Sequence, residues 1–332
     1  MINLRFHIVS ITAVFLALAI GIFMGSTLLD RSTVQLLESR QKSLDRKIAD
    51  RVVQSNAFRA ALDADDGADA AFGDQLIRPL TKGMVSAPVL FLAARGIDED
   101  SLQRTKDDVT AAGGSVGGTL WFDDQSLLTD GGVRAAVVAA ASSGSSTAGP
   151  SGGSAEEALA KANAALATDL AATSESAEAP ASLAALKSAG LFEWDLPAAA
   201  TGVTFGATAY RLVVVSGEGA STKVDALLIK LTGVLAEAAP GHVTVAEMLV
   251  DRSTTGLIER NLDRQPPVRG SFVDRIRNLD EPPPVPTIDD LDRTQGRLSL
   301  LLILANVAGA VPGSFGEAPT ADAPFPPVPP SQ

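Results

Sequence analysis

The chain contains no cysteine. That excludes disulfides, thiolate nucleophiles, iron–sulfur clusters and thiolate sites for zinc or copper. Imidazole is nearly as scarce, with His7 and His242 the only two histidines. Aromatic residues make up 5% of the chain, so its core must be built mainly from Ala, Val, Leu and Ile. Basic residues are outnumbered, 27 Lys and Arg against 39 Asp and Glu, for a formal net charge of -12. Such a balance argues against nucleic acid as the main partner, because phosphate binding needs a basic surface. No HExxH or Walker pattern occurs, and the expectation is a protein that is not an enzyme. What remains is a 332-residue chain, 46% hydrophobic, long enough for one or two domains with a sizeable core.

Residues 8–29 read IVSITAVFLALAIGIFMGSTLL, with no charge inside. As a helix this run reaches ~30 Å, enough to cross the hydrocarbon core of a bilayer. A cleavable signal peptide is the competing reading, with Ala17-Leu18-Ala19 as its cleavage site. Apolar sequence continues well past Ala19, which favours an uncleaved anchor in membrane lipid. The flanking charges conflict. Arg31, Arg40, Lys42, Arg46 and Lys47 follow the run and would by count face the cytoplasm. The short basic head before it has the layout of a signal anchor, and this favours an extracytoplasmic C-terminal region. Ala13, Ala17, Gly21 and Gly25 recur every four residues and would let two helices approach closely in lipid. Plain Ala/Gly abundance is the bland alternative.

Between residues 31 and 64 there is neither proline nor glycine. Val34, Ile48 and Leu62 occupy one heptad position, together with Gln41 and Ser55. Leu37, Leu44 and Phe58 occupy the other, together with Arg51. This predicts a coiled coil of about four heptads, formed with a second copy or with a partner protein. A single amphipathic helix packed on the following domain is the other reading. Asp63, Asp65, Asp66, Asp69 and Asp74 then suggest a solvated turn that ends the helix. Their spacing is near that of a calcium loop, but Ala68 stands where the sharp turn needs Gly, and position twelve is Asp74 rather than Glu.

Beyond that turn, short apolar runs alternate with amphipathic stretches. Strands are predicted at 88–94, 115–122, 211–215 and 242–250, and helices at 98–112, 155–171 and 221–239. The nearly all-apolar run 297–304 reads as a further parallel strand covered on both faces. These elements predict a doubly wound, mostly parallel α/β domain over 76–310, with a Gly/Ser-rich insert at 142–154. The full organisation expected is a membrane anchor (1–30), a coiled-coil stalk with an acidic turn (31–75), the α/β domain, and a disordered Pro/Ala-rich tail (311–332).

Signals for chemistry are weak. Gly217-Glu218-Gly219 sits at a strand–helix turn where phosphate could bind, but Thr222 replaces the third glycine of the fingerprint. His242 is alone, and no nucleophile pairs with it. The adjacent acids Asp123-Asp124 and Asp289-Asp290 read as solvated turns. No catalytic, cofactor or metal-ligating set can be assigned.

The opening Ile2-Asn3-Leu4-Arg5-Phe6-His7-Ile8-Val9-Ser10, running into Ala13 to Ala19 and then Gly21 and Gly25, resembles that of the actinobacterial copper-transport protein family. The likeness extends through the heptad region to Val213-Val214-Val215-Ser216-Gly217 and to Gly296-Arg297. It implies an outer-membrane role in keeping cellular copper low. The chain is also similar to a corynebacterial envelope protein that works with a partner in cell separation. That likeness supplies the alternative, a membrane-tethered scaffold without copper chemistry. The resemblance brings no ligand set with it. Copper(I) favours thiolate, thioether and imidazole, whereas Met1, Met24, Met84 and Met248 are scattered. Copper is therefore expected as a transported ion handled indirectly or by an assembled channel, with no resident cofactor.

Overall fold

The computed structural model describes residues 4–73, 77–142, 154–171, 181–195, 210–248, 272–306 and 312–327. The chain forms two compact units, Met1–Ala64 and Asp65–Gln332. The first is built from helix α1 (Leu4–Phe72), whose last turns belong to the second. With no proline and only isolated glycines along it, α1 runs unbroken through the acidic stretch read from sequence as a turn. Asp63, Asp65, Asp66 and Asp69 are helical, so neither the turn nor a calcium loop forms there.

The second unit is an α/β domain. After α2 (Arg78–Thr81), β1 (Pro88–Ala94) starts a sheet whose register continues into β2 (Ser115–Phe122) and β4 (Arg211–Gly217). Strands β5 (Val243–Met248), β6 (Pro286–Ile288) and β7 (Gly313–Phe315) extend it on one side. The short β3 (Glu193–Asp195) closes the other side and is the antiparallel member. The order is β3-β2-β1-β4-β5-β6-β7.

Every residue of β4 and β5 is buried, as expected for parallel strands covered by helices on both faces. Helices α3 (Glu99–Ala111) and α9 (Thr294–Ala305) pack together on one side of the sheet, and the short α8 (Val273–Arg277) packs against β5. The other side carries α7 (Thr222–Ala238), joined by α5 (Ala155–Leu170), α4 (Gly131–Ser142) and α6 (Ala181–Ser188). Local signals explain the starts of α3 and α5. Asp98 accepts hydrogen bonds from Asp100 N and Ser101 N, while Ser154 and Glu157 form a reciprocal capping box.

Two expectations fail. Residues 297–304 are helical, within α9, and do not form a strand. After Arg297, a run of seven apolar or small residues cannot by itself separate a buried helix from a buried strand, and this one is rich in Leu, a strong helix former. The C-terminal segment is not a free tail from residue 311. Gly313–Phe315 pairs with β6, and Phe315 and Ala318 are buried. The Gly/Ser-rich stretch 143–153 and residues 328–332 lie outside the described residues.

Candidate functional site

In doubly wound sheets, ligands sit beyond the carboxyl ends of the strands where the strand order reverses. Here that point lies between β1 and β4, and it is filled by backbone. Gly96 and Gly219 approach so closely that a Cβ on Gly96 would lie 2.5 Å from the Gly219 carbonyl oxygen. Gly217 in turn is pressed against Met248, whose carbonyl oxygen would lie 1.8 Å from an added Cβ. The glycines singled out in the sequence therefore serve strand-to-loop packing. The same edge is tied together by Ser216, which donates to Asp225, and by Arg275, 3.4 Å from the other Asp225 oxygen.

An open cavity of about 550 Å³ lies where β1 and β2 end and β3 begins. Arg95 is its organising residue. It lies 4.3 Å from the ring centroid of the buried Trp121 and pairs with Glu99 at 2.9 Å and Glu193 at 2.6 Å. Burial opposes the Arg95 charge, but the hydrogen bonds and charges of Glu193 and Glu99 outweigh it and hold the guanidinium above its ordinary value. Lys106 approaches the same ring at 5.9 Å, and burial lowers its ammonium despite the charges of Asp195, Glu99 and Asp107. Lys187, Gln125 and Asp123 line the opposite wall. Asp123 is already engaged, capping the 3-10 turn Asp124–Leu127. The result is a mixed-charge groove with oxygen and nitrogen donors and no sulfur. Arg95 and Trp121 were not singled out from sequence, because their meeting depends on the pairing of β1 with β2.

The second acidic pair also departs from expectation. Asp289 and Asp290 are fully buried rather than solvated. Asp289 accepts from both terminal nitrogens of Arg277 at 3.2 Å, and from the backbone of Glu317 at 2.7 Å and Ala318 at 2.9 Å. It thereby fastens the C-terminal segment to the sheet. His242 lies at the amino end of β5, its Nδ1 3.4 Å from Arg211 Nη1 and 3.3 Å from the Tyr210 carbonyl. Burial and the Arg211 charge push its pKa down.

A further junction lies at the end of α1. The residue preceding α9, Arg293, gives that helix no side-chain cap. The Asp69 carboxylate supplies one instead, accepting from Thr294 N at 3.0 and 3.2 Å, while Thr294 Oγ1 donates to the Asp69 carbonyl at 2.7 Å. Arg297 donates to Thr294 Oγ1 at 2.8 Å and to Asp108 at 2.9 Å, with both members of the latter pair almost entirely buried.

Phe6–Gly25 is long and apolar enough to cross a membrane, with mean hydropathy 2.5, and its apolar side chains are exposed. Ala13, Ala17, Gly21 and Gly25 fall along it at four-residue intervals, and a Cβ on Gly21 or Gly25 would meet nothing within 4 Å. Val34, Leu37, Leu44, Ile48, Phe58 and Leu62 all lie on the same continuous helix, with Leu44 58% and Ile48 60% exposed. Among the described residues, Met24 is on the apolar helix segment, Met84 in a loop and Met248 buried in β5. Among the described residues no group of three or more His, Cys, Asp or Glu is placed to hold a metal ion.

The family described as copper transport outer membrane protein, MctB, matches residues 1–326. The chain belongs to this family. Relatives carrying the name copper transporter MctB, from Mycobacterium bovis and Mycobacterium tuberculosis, are 32% identical over 120 residues. That alignment covers 36% of this chain and 37% of each relative. The family match thus extends through the membrane helix, the α/β domain and the C-terminal segment together.

Proposed function

We propose that this protein is a copper-homeostasis component of the cell envelope, anchored by Phe6–Gly25 and acting as an oligomer or with a partner protein. The family match over residues 1–326 carries the reading. Attachment to lipid is supported by the apolar helix. One helix cannot enclose a pore, so movement of copper would require several copies or a partner. The Ala13–Ala17–Gly21–Gly25 stripe and the heptad residues, Leu44 and Ile48 among them, are the surfaces proposed for that assembly. Copper is the transported ion in this reading, and the α/β domain assembles or regulates rather than holding copper tightly. Its groove around Arg95 offers charged oxygen and nitrogen groups, which suit copper(I) poorly. The signal-anchor layout supports a domain outside the cytoplasm, and the reading assigns it no catalytic role.

The test is total cell copper, measured by elemental mass spectrometry under copper load in a deletion strain, its parent and a complemented strain. Raised copper in the deletion, restored by complementation, is expected. Equal copper in all three strains would overturn the proposal and leave a membrane-tethered scaffold as the account.

A further inference from the structure

We infer that residues 65–72, the last turns of α1, form a releasable strap on the α/β domain, held by an Asp69 latch. Three observations carry this. First, the strap is attached chiefly through polar groups. Asp69 caps α9 across 225 residues of sequence, and Thr294 Oγ1 returns a bond to the Asp69 carbonyl. Second, among the described residues of the strap little apolar surface is sealed by the contact. Phe72 is 52% exposed, and Ala68 and Phe72 line an open groove of about 460 Å³ beside Leu298 and Phe325. Segments held by few apolar contacts open locally at lower free energy than the core does.

Third, release strands no buried charge. Arg297, the buried cation beneath the latch, keeps Asp108 at 2.9 Å and the Asp292 carbonyl at 3.2 Å whether or not Asp69 is in place. Asp108 has Arg78 as a second cation at 3.4 Å. The Asp108–Arg297 pair therefore belongs to the domain, and Asp69 to the strap. What release exposes is the N-terminus of α9, whose freed N–H can turn to water.

Hydrogen exchange read by mass spectrometry on the full chain in detergent micelles tests this, comparing the parent with Asp69→Ala and Asp69→Asn. Asn caps helices about as well as Asp, whereas Ala does not. Asp69→Ala is expected to speed exchange across residues 65–73 by about tenfold, and Asp69→Asn by less than about threefold, the range of a lost and a conserved cap. Exchange in β1, β4 and β5 should not change in either variant. Unchanged exchange at 65–73 in Asp69→Ala would overturn the latch. Equal acceleration in the strands would overturn it too, by making the helix end part of the cooperative core.

Discussion

Asp289 offers a sharp test of how the C-terminal segment is held. Its carboxylate is fully buried and accepts from the Arg277 guanidinium and from the backbone N–H groups of Glu317 and Ala318. Asp289→Ala removes all of these at once. Losing one partner of a buried ion pair costs about 3–5 kcal/mol, and a buried donor left unpaired costs about 1–3 kcal/mol. These costs are not additive. Arg277, whose side chain is 8% exposed, keeps the Asp274 carboxylate at 3.6 Å and the hydroxyls of Thr287 and Thr320. The expected loss is therefore about 4 kcal/mol, near the middle of the ion-pair range. At ~2–4 °C per kcal/mol for a domain of this size, the melting midpoint should fall by about 8–16 °C. Asp289→Asn keeps an acceptor for the two backbone groups but loses the charge, and should cost about half as much, roughly 2 kcal/mol. Both tryptophans, Trp121 and Trp194, lie in the α/β domain, so their fluorescence reports its unfolding in detergent-solubilised full-length protein. A loss below about 1 kcal/mol for Asp289→Ala would refute the reasoning, as would an Asn variant no better than Ala.

Three other outcomes are expected. Gly217→Ala forces a Cβ onto the Met248 carbonyl and should lower stability by about 2 kcal/mol or more, read by thermal circular dichroism. His242 has its pKa lowered by burial and by Arg211, so the unfolded chain binds its proton more readily than the folded one. Its contribution is fully present above the ordinary value of 6.5 and is lost as pH falls below it. The midpoint difference between the parent and His242→Gln should therefore shift against the parent from pH 7.5 to pH 5.5, and a constant difference would contradict this. Changing both Gly21 and Gly25 to Leu should weaken self-association in a membrane two-hybrid assay, and unchanged association would remove the close-packing argument.

The sequence made legible those elements whose signals are local. β1, α3 and β2 follow from apolar runs broken by the Asp98 cap and the Gly113-Gly114 stop, and β4, α7 and β5 repeat the same alternation. Strands β6 and β7, at three residues each, are too short to carry a period, and β7 falls in the Pro/Ala-rich stretch read as a tail. The run from Arg297 onward had apolar character without a period that could separate helix from strand. Asp69 looked like one of several solvated acids because its partner, Thr294, is 225 residues away. The groove was hidden for a related reason. Arg95, Trp121 and Glu193 meet only once β2 is paired with β1 on one side and antiparallel β3 on the other. The membrane helix was the easiest feature to see, since length and apolarity alone define it.

The short strand β3 has a consequence for colloidal behaviour. A parallel sheet that ended at β2 would present eight residues of unsatisfied backbone, a template for pairing with another sheet. Instead the margin is a three-residue strand running the opposite way, with acidic Glu193 and Asp195 exposed on either side of Trp194. Two such margins brought together would place carboxylate against carboxylate and find little backbone to zip. Copies of this domain at high concentration would thus resist aggregating through this margin of their sheets.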